Sequence, residues 1–272
     1  MSLLLLNRQA SLARPMLRSA MARNVSTKQT PFKFTMDQAG LATDLYVPPA
    51  KTPSIFTSPK LWWTVFKRKV QVTGVNTYMA VKMRRELGKD RFQPLEWKEL
   101  AIMLYERTNE CFVKRDFSGL QRLTSRWVYG PLSNRAKELS PGYRYDWQLV
   151  RFKRRPKVIS MVPLAMPNEP TNFVQVVYRF ESTQRLSKLK VGETNVERAE
   201  RDVVDNVGFI FDASKTPVEG RLIGSLFETP ATAPMPDPSS MPSSRSLIMQ
   251  GMSVRGDIFR PPPEYAVAKT EV

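Results

Sequence analysis

The cations of this sequence gather in three stretches: Lys67, Arg68 and Lys69; then Lys82, Arg84 and Arg85; then Arg151, Lys153, Arg154, Arg155 and Lys157. Ammonium and guanidinium groups at such spacing hold phosphate oxygens, the first as point charges and the second through paired N–H donors. The partner they imply is anionic, either a nucleic-acid backbone or an anionic lipid surface. Each stretch also has a plainer reading. Lys82, Arg84 and Arg85 close a helical pattern, where they complement the helix dipole. Three consecutive cations at Lys67 to Lys69 are harder to explain by stability alone, and Arg151 to Lys157 is the densest run, so both read as binding surfaces.

Other chemistry is excluded by what is missing. The chain has no histidine and one cysteine, Cys111. It therefore has no imidazole base, no Ser/His/Asp or Cys/His arrangement, no His-ligated zinc site and no internal disulfide. Glu106 and Glu110 share a helical face, but Arg107 and Lys114 lie beside them, the pattern of a solvated charged surface and not of an acid/base pair. The glycines near Gly192 and between Gly220 and Gly224 match no phosphate loop or dinucleotide fingerprint. Cys111 falls on an apolar stripe, which predicts a buried, inert thiol. We expect no catalytic residue, no cofactor, no metal and no small-molecule substrate.

The net charge of +17 is unevenly spread. Residues 60 to 160 carry 23 basic and 9 acidic side chains, whereas residues 161 to 272 carry 12 and 14. One basic face follows from that asymmetry. Before Asp37 there is no acidic residue, while Arg8, Arg14, Arg18, Arg23, Lys28 and Lys33 are spread among Leu, Ala, Ser and Met. That is the amphipathic, Arg-rich pattern of a mitochondrial transit peptide, assigned to residues 1–28. Apolar runs such as Met161 to Met166 are far shorter than the roughly 20 residues a transmembrane helix needs, so membrane association would be peripheral.

These residues must be positioned by ordinary elements. Prolines punctuate residues 29–60, read as an extended arm, and residues 229–272, a Pro/Ser-rich tail expected to be disordered. Between them, Leu61 to Leu87 shows helical spacing, with a break expected near Gly74 and a stop at Gly88. A second helix starts around Pro94, a short third holds Phe117, Leu120 and Leu123, and Pro131 suits the first turn of a fourth. After Gly142 the period changes to two: Tyr145 to Phe152, Val158 to Met166, Phe173 to Phe180, Val203 to Phe211 and Arg221 to Phe227 read as strands. Glu193 to Asp205 reads as a charged hairpin or short helix. Of the tryptophans Trp62, Trp63, Trp97, Trp127 and Trp147, most belong to the core, but Trp62 and Trp63 are adjacent and one helix cannot bury both equally. Helices followed by a strand meander define an α+β domain with helices on one face of an antiparallel sheet.

Residues 61–228 also carry a resemblance. Tyr105, Asn109, Phe112, Asp116, Phe117, Leu120, Leu123 and Ser125, followed by Trp147 to Val150, Pro156 to Val158, Phe173 to Tyr178 and Val203 to Phe211, are similar in type and order to the family named for the TIM forty-four protein. Within it, the chain most resembles the branch of a mitoribosomal large-subunit protein at the tunnel exit and its fungal counterpart, a ribosome receptor of the inner membrane. The resemblance implies a curved, cone-shaped sheet like that of the nuclear transport factors, flanked by extended tails, and no enzymatic activity. It implies as partners the rRNA and proteins of the mitochondrial large ribosomal subunit, anionic inner-membrane lipids and a membrane insertase, at the matrix face of the inner membrane. An import-motor adaptor that binds the matrix chaperone is the alternative within the same resemblance.

Overall fold

The computed structural model describes residues 34–42, 45–164, 172–235 and 244–263. The expected transit peptide at residues 1–28 and part of each tail lie outside them. Four helices come first: α1 (Pro59–Leu87), α2 (Pro94–Lys114), α3 (Phe117–Leu123) and α4 (Arg126–Glu138). Four strands follow, β1 (Tyr143–Leu164), β2 (Phe173–Lys190), β3 (Val196–Asp212) and β4 (Glu219–Leu226), and then α5 (Arg245–Gly256). The sheet is an antiparallel meander in the order β1-β2-β3-β4. This is the expected α+β class with a curved, open antiparallel sheet.

The helix boundaries have local causes. Proline opens both α1 and α2, where its missing N–H costs nothing, and Gly88 at φ 82° ends α1. The Asp116 carboxylate caps α3 by accepting from the Gly119 amide at 2.9 Å. Two sequence expectations fail here. Helix α1 runs through Gly74 without a break, because its packing on β1 outweighs one glycine's weak propensity. Helix α4 begins at Arg126, so Pro131 sits inside it and not in its first turn. The carbonyl that Pro131 leaves without its helical donor is that of Trp127. Gly256 packs against that same carbonyl so closely that a Cβ there would lie 2.1 Å from the oxygen.

The sheet is covered on both faces. Helices α2 to α4 bury Trp97, Tyr105, Leu120 and Leu132 against Val176, Tyr178, Phe180, Phe209, Phe211 and Leu222. On the opposite face Ala39, Leu41 and Val47 of the N-terminal arm pack on Val177, Ile210 and Ile223. Inward and outward residues alternate along the strands, yet the sequence reads as continuous apolar runs because both faces are dry here. The strands also extend past this doubly covered part. Residues Val196 to Asp205 belong to β3 and pair only with β2, since β4 reaches only Asn206 to Asp212. The charged segment is therefore strand after a turn at Gly192, not a helix.

The tail needs the largest correction. Residues 245–256 form α5, which packs on α4 and β4, so this part of the tail is ordered. Arg135 grips Asp257 through two bonds of 3.0 and 2.7 Å, and Arg260 donates to the Ser225 carbonyl at 2.7 Å. Composition alone suggested disorder; the fold instead uses a few specific polar anchors. The arm is likewise part of the core and not merely extended.

A polar network is enclosed between the sheet and α2. The Tyr105 hydroxyl donates to the Asp205 carboxylate and accepts from Gln184 Nε2 at 2.7 Å, while Trp147 Nε1 donates to Gln184 Oε1 at 3.0 Å. Burial raises the Asp205 carboxyl above its usual range, with the Tyr105 and Gln184 bonds opposing. A carboxyl raised on folding stabilises the fold below its unfolded pKa and loses that contribution as the pH climbs through its folded one. Asp205→Asn removes this loss. Urea unfolding from about pH 4 to pH 8 should show the variant gaining stability relative to wild type as pH rises; a constant difference would contradict the burial argument.

Candidate functional site

Strand β1 builds the most concentrated charge. Its pairing with β2 shifts register between Leu149 and Arg151, Phe152 and Arg154, Arg154 and Lys157, and Val158 and Ser160. Bulges re-aim side chains, and Pro156, which has no N–H to give the ladder, sits within one of them. As a result Arg154, Arg155 and Lys157, which strict alternation would divide between two faces, all line one cleft. Its other walls are Pro48 to Ala50 of the arm and Lys69, Val72, Thr73 and Asn76 of α1, and its volume is about 330 Å³.

Helix α1 is pinned beside β1 by Asn76, whose amide donates to the Ile159 carbonyl at 2.8 Å and accepts from the Met161 N–H at 3.3 Å. This aims Lys69 at the cleft, where its ammonium donates to Thr52 Oγ1 at 2.7 Å. Burial, followed by the charges of Arg179 and Lys157, pushes the Lys69 ammonium below its ordinary range, with Glu228 opposing. Arg154 meets Glu181 at 3.4 Å. Arg155 and Lys157 have no carboxylate partner among the described residues. Like charges held together with too few counter-charges make a site that a multiply negative group would complete.

The three sequence clusters therefore divide. Lys69, Arg154, Arg155 and Lys157 come together. Arg68 turns instead to structure, donating to the Ala231 carbonyl at 3.1 Å and lying 5.7 Å over the Tyr46 ring. Lys153 is taken by Asp202 at 2.5 Å, while Arg151 is exposed nearby. Lys67 points outward from α1. Lys82 pairs with Glu86 at 3.7 Å, and Arg84 and Arg85 stand exposed in the last turn. Cys111 is partly buried, with its thiol 3.7 Å from Asp116; burial and that carboxylate push it upward, away from a reactive thiolate.

The outward face of α1 was only half legible in sequence. Trp63, Phe66, Val70, Tyr78 and Val81 are all exposed along it, Trp63 at 58%, while Trp62 is partly covered. Phe56, just before the helix, is 94% exposed. Their spacing of three, four, eight and three residues keeps them on one side, opposite buried Val65 and Met83. Lys60, Lys67, Arg84 and Arg85 flank this stripe, and the only acid in the helix is Glu86.

Sequence reasoning missed Arg179. It is 8% exposed within β2, where Nε donates to Asn206 Oδ1 at 3.0 Å, Nη2 donates to the Pro48 carbonyl, and Glu228 lies 3.5 Å away. One arginine in the apolar run from Val174 to Phe180 was the available signal, because an isolated cation there must find buried partners.

These features define a class: an α+β domain whose surface chemistry is cationic and aromatic. The chain belongs to the MBA1-like protein family, whose description it matches over residues 24–264. A relative from Saccharomyces cerevisiae (strain ATCC 204508 / S288c), the mitochondrial inner membrane mitoribosome receptor MBA1, is 32% identical over 233 residues, 85% of this chain and 82% of the relative. No described helix is long and apolar enough to cross a membrane.

Structural and binding cations should separate on mutation. Arg179→Ala strips a buried carbonyl and a buried amide of their donor and should cost about 3–5 kcal/mol, whereas Lys157→Ala relieves crowding and should leave the thermal midpoint unchanged or higher. Circular dichroism melts of both variants check this; equal losses would refute the division.

Proposed function

We propose that this chain is a non-enzymatic, peripheral protein of the matrix face of the mitochondrial inner membrane. It binds the large subunit of the mitochondrial ribosome near the tunnel exit and aligns it with the insertion machinery. The observation that carries this reading is its identity with a mitoribosome receptor across most of both chains. The cationic surface supports it, since unneutralised Arg and Lys can grip rRNA phosphates by counterion release. The chain is a distant relative of the TIM forty-four-like proteins and carries a transit peptide at residues 1–28.

The mechanism is geometric. The exposed Arg151 of β1 meets ribosomal RNA and neighbouring proteins, α1 and the cleft beside it face the membrane, and the doubly covered sheet keeps the two surfaces in fixed relation. Binding supplies position and no reaction. Arg151 stands beside the Lys153–Asp202 pair, and Arg84 and Arg85 extend the basic surface along α1.

Sedimentation of mitochondrial lysates tests the reading. At low salt the protein should travel with the large subunit, and at high salt it should remain at the top of the gradient. Replacing Arg151 with Ala should lower the slope of log affinity against log salt by about 1 for its RNA contact. Alkaline carbonate should extract the chain from the membrane without detergent. Co-sedimentation with a matrix chaperone in place of ribosomes would reject the proposal in favour of an import-motor adaptor.

A further inference from the structure

Lys69 borders two concavities. On one side it lines the cationic cleft with Arg154, Arg155 and Lys157. On the other it lines a shallow, mostly apolar groove along α1 with Val70, Thr73, Gly74, Thr77 and Tyr78. Gly74 lines the groove with open space above it, since a Cβ there would meet nothing within 4 Å, and the half-exposed Val70 and more exposed Tyr78 stand on either side. A site cationic at one end and apolar at the other suits a molecule with an anionic head and a hydrocarbon body.

We propose that this composite site holds a single anionic phospholipid. Lys69, Arg155 and Lys157 take its phosphate, and one acyl chain lies over Gly74 between Val70 and Tyr78. The inference rests on the peripheral membrane reading above and deepens it, replacing diffuse attraction to a charged surface with a specific lipid site. Two further observations favour a lipid over nucleic acid. The groove continues into the outward stripe of Trp63, Phe66 and Val81, whose aromatic residues and flanking cations are those of a helix lying in a membrane interface. The one carboxylate in the cleft, Glu181, lies beside Arg154 and leaves Arg155 and Lys157 for the head group. Burial, and then the neighbouring charges of Arg179 and Lys157, lowers the affinity of Lys69 for its proton, with Glu228 opposing.

Flotation of the full chain with vesicles of phosphatidylcholine, alone or with cardiolipin, reads the site directly. An RNA oligonucleotide serves as the competing polyanion. Gly74→Ala keeps the groove and strengthens the helix, whereas Gly74→Glu puts a carboxylate into that groove. Wild type and Gly74→Ala should float with the cardiolipin vesicles. Gly74→Glu and Lys157→Glu should each bind them about tenfold less or weaker still, while Gly74→Glu keeps the RNA affinity and melting profile of wild type. Equal flotation of Gly74→Glu and Gly74→Ala would overturn the proposal. So would a Lys157→Glu variant that loses RNA binding but floats like wild type, which would assign the cleft to RNA. Because ribosome co-sedimentation is read separately, either result leaves the proposed receptor role standing.

Discussion

A guanidinium buried where several segments meet holds the functional face in shape. Arg179 reaches from β2 to the Pro48 carbonyl of the arm, to Asn206 of β3 and toward Glu228 beyond β4. A charge in so dry a place is tolerated only because each side of its fork is answered. The same arrangement sets the back wall of the cleft, since Pro48 to Ala50 are the arm residues that line it. The Ala50 amide donates in turn to Glu228 at 3.0 Å, and Val47 bonds to Thr229, so the arm is laced to the chain after β4 along its length. Structural cations thus build the enclosure, and other cations are left over to use it.

That economy depends on a sheet covered twice. The helices take one face and the arm the other, which stiffens the first half of β2 and the end of β3 and leaves their other ends more open to solvent. β1 bridges the two regions. Where it leaves the packed part it is bulged repeatedly, and those irregularities turn a strand that would scatter its charges into one that collects them. Helix α1 contributes from outside: one side pins it through Asn76, another aims Lys69, and the third is left bare.

How much of this could be read from the residues alone varies by element. Spacing of three and four found α1 to α4 because each has one apolar side, and a period of two found the strands. Gly74 misled because it sits over open surface and breaks nothing. Pro131 misled because the carbonyl it frees is packed by a residue far along the chain. Helix α5 was invisible among prolines and serines, since its placement rests on individual contacts such as Arg135 with Asp257 and not on a broad apolar face. At the site, charge was legible but direction was not. Lys67, Arg68 and Lys69 look alike in sequence, yet one faces water, one braces a carbonyl and one enters the cleft. Arg179 escaped notice because its partners lie on other segments.

The open margin of β3 completes the picture. From Val196 to Asp205 its outer backbone groups have no neighbouring strand among the described residues, and the side chains there include Glu197, Arg198, Glu200, Arg201 and Asp202. An unguarded border of that length would recruit any extended peptide that came by. Ionised groups along it make such zippering costly, since every newcomer would have to strip them of water. An unfolded chain that meets this margin is thereby kept from knitting into the sheet.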